Sequence, residues 1–323
     1  MQVNEGEMRT ATAARRSREH RASRLRDRLV VMTIDEALVT RLVSEQFPQW
    51  RGLPVRQVRP GGWDNRTFRL GDDLLVRLPS ADGYSAAVAK EQRWLPVIAP
   101  EVPFEIPEPV GLGAPAAHFE RPWSVYRWIE GVPAGEAAIG DPDAFAADVA
   151  RFLTALAAVD ASGAPVAGPH SFWRGAHPRL YEQDVTRSLD ALTGRIDTAA
   201  ARAVWDAALQ TEIEGPPVWF HGDIAPGNLL LRDGALHAVI DFGTSGVGDP
   251  ACDLAIAWTM FDDSARAVFR VGLPWDDAVW ARGRAWALWK ALLLLADGTG
   301  SHNPEAEARS ARVVVERILA DAP

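Results

Sequence analysis

The spacing of apolar and polar positions divides residues 35–320 into a strand-rich first part and a helical second part. In the first part, alternation predicts strands at 55–59, 65–70, 74–78 and 123–129. Helical spacing predicts helices at 35–47 and 84–95, and three prolines make 101–110 an extended connector. Beyond residue 143 helices dominate, with predicted spans of 143–160, 178–192, 198–214, 251–269, 276–296 and 304–320.

One predicted hairpin in the second part carries polar residues at defined positions. Residues 228–231 read as a short strand, Asp233 and Gly234 as a two-residue turn, and 235–241 as the return strand. This pairing sets Asn228 opposite Val239, so that Asp241 lies about 7 Å from the position facing Asn228. An amide oxygen and a carboxylate side by side suit a hard cation such as Mg²⁺, although a hairpin with an acidic tip and no chemistry is the alternative.

The segment that leads into this hairpin adds a further carboxylate. It reads His221-Gly222-Asp223, and Asn228 follows five residues after Asp223. Phosphoryl transfer from a magnesium nucleotide needs a carboxylate to orient and deprotonate a hydroxyl, and oxygen ligands to hold the metal on the phosphates. The sequence therefore indicates a phosphotransferase.

The pattern H-G-D-x-x-x-x-N followed by I-D-F-G resembles the catalytic core of the aminoglycoside phosphotransferase family, small-molecule kinases that share the protein-kinase-like fold. The resemblance implies an α+β, two-lobed fold with a small antiparallel β-sheet lobe and a larger, mostly helical lobe. It also implies that Asp223 is the catalytic base and that Asn228 and Asp241 are Mg²⁺ ligands. We expect a nucleotide-binding lobe at 32–130 and a helical lobe with the catalytic loop and acceptor site at 131–323.

Composition narrows the remaining classes. Apolar content of 47 % and charged content of 24 % are typical of a soluble globular protein, and the longest apolar run near the C-terminus is too short to span a bilayer. A single cysteine, Cys252, excludes an internal disulfide and favours the cytoplasm. With a net charge of −9 the chain is not expected to bind nucleic acid, and cationic substrates are compatible with it.

The charge is unevenly distributed. Residues 1–31 hold eight Arg and four acidic residues, a net charge of +4, which leaves −13 on the rest. We interpret them as a disordered Arg-rich tail or as translation from an upstream start, and a nucleic-acid-binding arm is the alternative.

Lysine is rare, which excludes one kind of nucleotide site. Only Lys90 and Lys290 are present, and neither lies in G-K-[ST], so a Walker-type phosphate loop is absent. Residues 111–116 formally match G-x-G-x-x-A, but the prolines around them favour a turn over a dinucleotide site.

The first lobe is expected to hold the nucleotide, either ATP or GTP. Where the family usually has a strand Lys, this chain has Arg77, and Glu91 on the next helix is its matching carboxylate; an outward-facing surface pair is the alternative. Lys90 could compete with Arg77 but is expected to point elsewhere. The remaining nucleotide-side candidates form three groups. The first is a glycine-rich loop that could equally be a plain turn, with Gly61, Gly62, Trp63 and Asn65. The others are the hinge residues Trp128 and Ile129, and Leu230 and Ile240 as apolar contacts for the base.

The last group of candidates surrounds the catalytic loop and the acceptor. His221, Asp249 and Asp253 are expected to brace the loop, and Asp262 and Asp263 are candidates for acceptor binding, with helix caps as the alternative. Five tryptophans could form an apolar acceptor pocket or belong to the core: Trp258, Trp275, Trp280, Trp286 and Trp289. The family favours an antibiotic acceptor such as an aminoglycoside or a macrolide. A metabolic kinase for choline, homoserine or a sugar, and a catalytically silent binding module, are the alternatives.

Overall fold

The computed structural model describes residues 34–59, 64–297 and 304–321, with side chains of 297–308 excepted. The predicted tail at 1–31 and the loop residues Gly61, Gly62 and Trp63 lie outside the described residues. The predicted division into a small antiparallel sheet and a larger helical part is confirmed. The boundary at residue 130 stays a prediction.

The first part is built on a five-stranded antiparallel sheet in the order β1-β2-β3-β5-β4. The strands are β1 (Val55–Gln57), β2 (Asn65–Leu70), β3 (Leu74–Pro79), β4 (Pro109–Gly113) and β5 (Trp123–Arg127), and the helices are α1 (Glu36–Gln46) and α2 (Ser85–Ile98). Inward-facing residues of these strands form one hydrophobic core with α1. Asp35 caps α1 by accepting a hydrogen bond from the Leu38 backbone.

Strand β4 corrects the sequence analysis, which had a connector and a turn here. Proline is tolerated because β4 is an edge strand of the sheet and is bulged between Pro109 and Gly111. A Cβ added at Gly113 would lie 1.9 Å from the ring of Trp123. Glycine therefore allows the edge strand to approach the sheet.

The second part is mostly helical. Its helices are α3 (Pro142–Ala158), α4 (Glu182–Ala191), α5 (Thr198–Leu209), α6 (Ile256–Thr259), α7 (Asp263–Val271), α8 (Asp277–Asp297) and α9 (Pro304–Ala320). The short strands β6 (Val132–Pro133), β8 (Leu229–Arg232) and β9 (Ala235–Val239) form one sheet, and β7 (Val218–Phe220) pairs with β10 (Gly246–Gly248). No helix in the described part of the chain is long and apolar enough to cross a membrane.

Two helix predictions need correction. The predicted helix at 251–269 is a 3₁₀ segment (Pro250–Ala255) followed by α6 and α7, because Asp262 begins a new helix by accepting from the Ala265 backbone. The predicted helix at 178–192 likewise starts as a 3₁₀ turn before α4. Helix α8 is central: it contacts α4, α5, α9 and the 3₁₀ segment, which explains why apolar residues occur all around it.

The register of the β8–β9 hairpin differs by one residue from the prediction. Arg232 does face Ala235, but His237 is an extra residue on β9, so Leu229 rather than Asn228 faces Val239. The bulge coincides with backbone hydrogen bonds that join Glu105 to His237 and to Val239. The Ile240 amide then donates to the Asn228 carbonyl at 2.9 Å, which brings Asp241 nearer to Asn228 than predicted.

Candidate active site

The loop that carries Asp223 is held from below by Asp253. Its carboxylate accepts hydrogen bonds from the backbone amides of His221 and Gly222, both at 2.7 Å. Burial raises the pKa of Asp253 to about 7, and these two donors oppose the rise. Gly222 has φ +87°, and a Cβ there would lie 2.8 Å from the Thr244 carbonyl oxygen, so this position requires glycine.

His221 lies beneath the same loop, fully buried and 4.6 Å from the Phe242 ring between centroids. Its Nδ1 accepts from the Asp223 amide at 3.2 Å, so the proton is on Nε2, which faces the Ile240 carbonyl at 3.1 Å. Burial lowers the pKa of His221, which favours this neutral form. Both nitrogens are engaged with backbone, so His221 joins the Asp223 loop to the strand that ends at Asp241.

Asp223 and Asn228 are in direct contact. The Asn228 amide nitrogen donates to the backbone oxygen and to Oδ2 of Asp223, each at 2.9 Å. No described residue donates to the Asn228 side-chain oxygen. Lys290 Nζ lies 3.6 Å from Asp223 Oδ1. The carboxylate is thus oriented by Asn228 while 38 % of its side-chain surface stays exposed.

Arg77 connects the first sheet to the predicted metal ligand. Its Nη2 donates to Asp241 Oδ1 at 2.7 Å, and its Nη1 lies 3.4 Å from Glu91 Oε1. The hydroxyl of Tyr126 donates to the other Glu91 oxygen. The side chains of Arg77 and Glu91 are 12 % and 5 % exposed, so they are not an outward-facing surface pair. Burial favours protonation of Asp241, but the Arg77 charge and hydrogen bond outweigh it and hold its pKa below the ordinary value.

Lys90 points away from Arg77, as expected, but its environment was not foreseen. Its buried Nζ donates to the carbonyls of Gly243 at 2.8 Å and Ser245 at 2.7 Å, and lies 3.3 Å from His170 Nδ1. Burial lowers its pKa to about 8, against the opposing influence of Glu91 and Asp241. Lys90 therefore anchors helix α2 to the loop that follows Asp241.

Asp64 is a charged residue at the edge of the cleft that the sequence analysis did not single out. Burial, followed by the charge of Asp241, raises its pKa, and a hydrogen bond with Tyr84 opposes the rise. Its backbone oxygen accepts from the Ser80 amide at 2.9 Å. The clue was its place beside Asn65 in the predicted glycine-rich loop.

The other nucleotide-side candidates are dispersed around the cleft. Asn65 begins β2 opposite Pro79. Trp128 follows β5 with the Arg69 guanidinium 4.1 Å from its ring centroid, and Ile129 comes next. Leu230 is buried in the hairpin, and Ile240 is half-buried beside Asp241. The structure tests their positions only, so their contacts with a nucleotide stay predictions.

Asp249 belongs to a buried ion pair. Arg282 of α8 donates from Nε to Asp249 Oδ2 at 2.7 Å and from Nη2 to Oδ1 at 3.2 Å. The third guanidinium nitrogen donates to the Thr211 hydroxyl and to the Glu212 carbonyl. Arg282 was not foreseen, since a mid-helix arginine gives no sequence clue to its partner.

A cavity of about 220 Å³ opens beside Asp223, between the catalytic loop and helices α8 and α9. Trp286 and Trp289 line it, whereas Trp258 and Trp280 are interior and contact each other. Asp262 and Asp263 are not among its lining residues. Asp262 has the alternative role of a helix cap, at the start of α7, and the exposed Asp263 pairs with Arg266.

Comparison with known proteins identifies this arrangement. The model of the phosphotransferase enzyme family matches residues 55–289, which span the five-stranded sheet, the loop of Asp223 and part of helix α8. The chain belongs to this family. Its members transfer phosphoryl groups to hydroxyl groups of small molecules, and the predicted enzyme class is confirmed. No curated protein sequence matches this phosphotransferase significantly.

Several solved structures share the fold. Wild-type aminoglycoside 2'-phosphotransferase-IIIa in its GDP complex aligns with a TM-score of 0.66 at 18 % identity, over 89 % of this chain and 100 % of that one. The streptomycin–ATP ternary complex of APH(2")-IIa aligns with a TM-score of 0.54 at 17 % identity, over 88 % of this chain and 97 % of that one. The macrolide 2'-phosphotransferase MphH from Brachybacterium faecium aligns with a TM-score of 0.55 at 22 % identity, over 85 % of this chain and 97 % of that one. At these identities the likeness establishes the fold.

Proposed function

We propose that this phosphotransferase transfers the γ-phosphoryl group of ATP or GTP, in a Mg²⁺-dependent reaction, to a hydroxyl group of a small molecule. The observation that carries the proposal is the position of Asp223. Its carboxylate is oriented by Asn228, lies next to the Asp241 hairpin and lines a cavity that could admit an acceptor.

Asp223 is the proposed catalytic base. The acceptor oxygen attacks the γ-phosphorus, the bond from phosphorus to the β–γ bridging oxygen breaks, and the hydroxyl proton passes to Asp223. Asn228 keeps the carboxylate in one orientation through its 2.9 Å hydrogen bond. Positioning of this kind, together with electrostatic stabilisation, supplies most of the catalysis in phosphoryl transfer.

The residues present fit a magnesium ion. Asp241 offers a carboxylate that is 40 % exposed, and the Asn228 amide directs its nitrogen to Asp223, which leaves its oxygen for a cation. Asn228 and Asp241 would hold Mg²⁺, which would neutralise phosphate charge during transfer.

Arg77 takes the place of the usual lysine in the proposed reaction. Its planar guanidinium already bridges Glu91 and Asp241, so a permanent positive charge is fixed at the nucleotide side of the cleft. This arrangement favours an active enzyme over a silent binding module. Because the co-substrate is a nucleoside triphosphate, we place the reaction in the cytoplasm.

Two acceptor classes are open to experiment. The structural neighbours include phosphotransferases that act on aminoglycosides and macrolides, which makes an antibiotic the first class to test. The cavity volume of about 220 Å³ favours a compact metabolite instead, since pockets for drug-sized ligands usually measure roughly 300–1,000 Å³.

The Asp223→Asn variant tests the proposal. It removes the base and keeps the shape, so turnover should fall about 10²-fold or more while nucleotide affinity is retained. ATP and GTP consumption is measured with and without acceptors, and nucleotide affinity by calorimetry. Asp233→Asn, on the exposed turn of the same hairpin, is the matched control and should keep full activity. Normal turnover by Asp223→Asn would refute the role of Asp223.

A further inference from the structure

The described walls of the cavity beside Asp223 carry mainly positive charge. Among the described side chains that line it, Asp223 is the only carboxylate, while Arg174 and Lys290 are cationic. With Asp223 acting as the base, no described carboxylate in the cavity is left to bind a substrate cation. A polycationic acceptor would meet two positive charges there.

Arg174 has no carboxylate partner among the described residues. Its guanidinium instead lies 5.5 Å from the ring centroid of Trp289 and 6.0 Å from that of Phe172. Aromatic contacts hold the group in place and leave its charge uncompensated. By contrast, the guanidinium groups of Arg77, Arg202 and Arg282 each contact carboxylates. A fixed, half-buried guanidinium is suited to bind a carboxylate through two parallel hydrogen bonds.

Two tryptophans give the cavity an apolar wall. The indole nitrogens of Trp286 and Trp289 are buried and have no partner among the described residues. Because these nitrogens are shielded from solvent, the two residues contribute apolar ring surface rather than hydrogen-bond donors to the cavity wall. Tyr181 packs on both rings, with centroids 5.5 Å from Trp286 and 4.1 Å from Trp289, which fixes their orientation.

The loop beside Arg174 is strained. Phe172 and Trp173 have φ of 48° and 58°, a left-handed conformation that is uncommon for aromatic residues. Both side chains remain partly exposed, and the Tyr181 hydroxyl donates to the Phe172 carbonyl at 2.6 Å. Such backbone strain concentrates at ligand sites, where the surrounding structure maintains it. Here it accompanies a contact in which the Phe172 ring centroid lies 6.0 Å from the Arg174 guanidinium.

We propose that the acceptor of this enzyme is a compact hydroxyl compound with an apolar body and a carboxylate group, and that Arg174 binds the carboxylate. The inference rests on the proposed phosphotransfer at Asp223 and specifies its substrate. Trp286 and Trp289 contact the apolar body, and the hydroxyl lies toward Asp223. Transfer then yields the phosphate monoester of the hydroxy acid and the nucleoside diphosphate.

Two matched series of alcohols that differ in charge test the proposal. One comprises 6-hydroxyhexanoate, 1,6-hexanediol and 6-amino-1-hexanol, and the other 4-(hydroxymethyl)benzoate, its methyl ester and 4-(aminomethyl)benzyl alcohol; kanamycin serves as the polycation. Phosphorylation with Mg²⁺ and ATP or GTP is followed as kcat/KM. The carboxylate should exceed the amine by about tenfold or more in at least one series, since a hydrogen bond to a charged group has that effect.

The Arg174→Gln variant should remove this preference. Its kcat/KM should fall about tenfold or more for the carboxylate and stay within about twofold for the neutral compound. Arg187→Gln is the control, because Arg187 is an exposed arginine of α4 outside the cavity and should behave like the unmodified enzyme.

The outcomes separate this proposal from the proposed function. Preference for the amine or for kanamycin, equal use of all charges, or an unchanged carboxylate rate in Arg174→Gln would overturn it. If no compound is phosphorylated, slow hydrolysis of ATP or GTP by the enzyme alone is measured. Hydrolysis that is lost in Asp223→Asn would support the proposed phosphotransferase activity and refute the carboxylate acceptor. Absence of both reactions would refute both.

Discussion

Two arginine–carboxylate regions of this protein use the same chemical groups in opposite ways. Arg282 and Asp249 are each 1 % exposed, share two hydrogen bonds, and the remaining guanidinium nitrogen is satisfied by Thr211 and Glu212. Arg77 also contacts a carboxylate at 2.7 Å, but that carboxylate, on Asp241, is 40 % exposed at the cleft.

The two pairs differ in whether their carboxylate is accessible to a ligand. The Arg282–Asp249 pair is buried, so neither side chain can bind a ligand, and it joins helix α8 to the 3₁₀ segment at Pro250–Ala255. The Arg77–Asp241 pair joins the two lobes across a solvent-accessible cleft, where a metal nucleotide could compete for Asp241. We therefore expect substitutions in the first pair to change stability and those in the second to change activity.

The largest effect is expected from Asp249→Asn. It leaves the buried Arg282 charge without a counter-charge, which should lower the free energy of unfolding by about 3–5 kcal/mol. Chemical denaturation measures the loss. The control is Glu108→Gln, which breaks an exposed pair with Arg127 and should cost less than about 1 kcal/mol. Equal losses in the two variants would contradict the structural role of the buried pair.

Asp241→Asn should have the reverse profile. Loss of a carboxylate at the proposed metal site should reduce kcat by about 10²-fold or more, because such electrostatic interactions contribute several kcal/mol to transition-state stabilisation. Since Asp241 is partly exposed, the free energy of unfolding should fall less than in Asp249→Asn. A variant that is severely unstable but fully active would reverse our assignment of the two pairs.

Arg77→Lys distinguishes the charge of Arg77 from its shape. Lysine keeps the charge but cannot contact Glu91 and Asp241 with separate nitrogens in the same plane. The expected loss is about 1–3 kcal/mol of transition-state stabilisation, measured from kcat/KM. Full activity would show that only the charge matters, and full activity of Arg77→Ala would remove Arg77 from the site.

Lys90 should give a smaller, pH-dependent effect. Because its pKa is lowered to about 8, rising pH removes the proton that strengthens its hydrogen bonds to Gly243 and Ser245. Activity should fall up to roughly tenfold between pH 8 and 9, and in Lys90→Arg the decline should move to higher pH. Identical pH profiles would exclude this link.

The same shift fixes the sign of the stability change. Unfolding would restore the ordinary Lys90 pKa of 10.5, so between pH 8 and 10.5 the unfolded chain binds more protons than the folded one. From this group alone, the free energy of unfolding should rise with pH across that interval.

The sequence predicted the local chemistry better than the long-range contacts. Asp223, Asn228 and Asp241 could be found because a short loop and one hairpin bring them together, and a one-residue bulge at His237 shifted only their register. Most of the longer helices and strands followed from periodicity. The exceptions were edge strand β4, which contains proline, the helix that Asp262 divides, the 3₁₀ start of the predicted helix at 178–192, and the short strands β6, β7 and β10.

Contacts between distant segments could not be predicted. Lys90 lies more than 150 residues before the carbonyls that it contacts, and Arg174 and Lys290 approach the cavity from separate elements. Nothing in their local sequence distinguishes them from surface cations. The acidic pair at Asp262 and Asp263 was more conspicuous in the sequence, but Asp262 caps a helix and Asp263 pairs with Arg266, both outside the cavity.

Calorimetric titration of ATP and GTP, with and without Mg²⁺, tests most directly whether the Arg77–Asp241 region is a metal-nucleotide site. For the unmodified protein, Mg²⁺ should increase the affinity for at least one nucleotide by about tenfold or more, since both phosphate and Asp241 contribute oxygen ligands. Asp241→Asn should lose this increase, and Glu108→Gln should keep it. An unchanged magnesium dependence in Asp241→Asn would contradict the account.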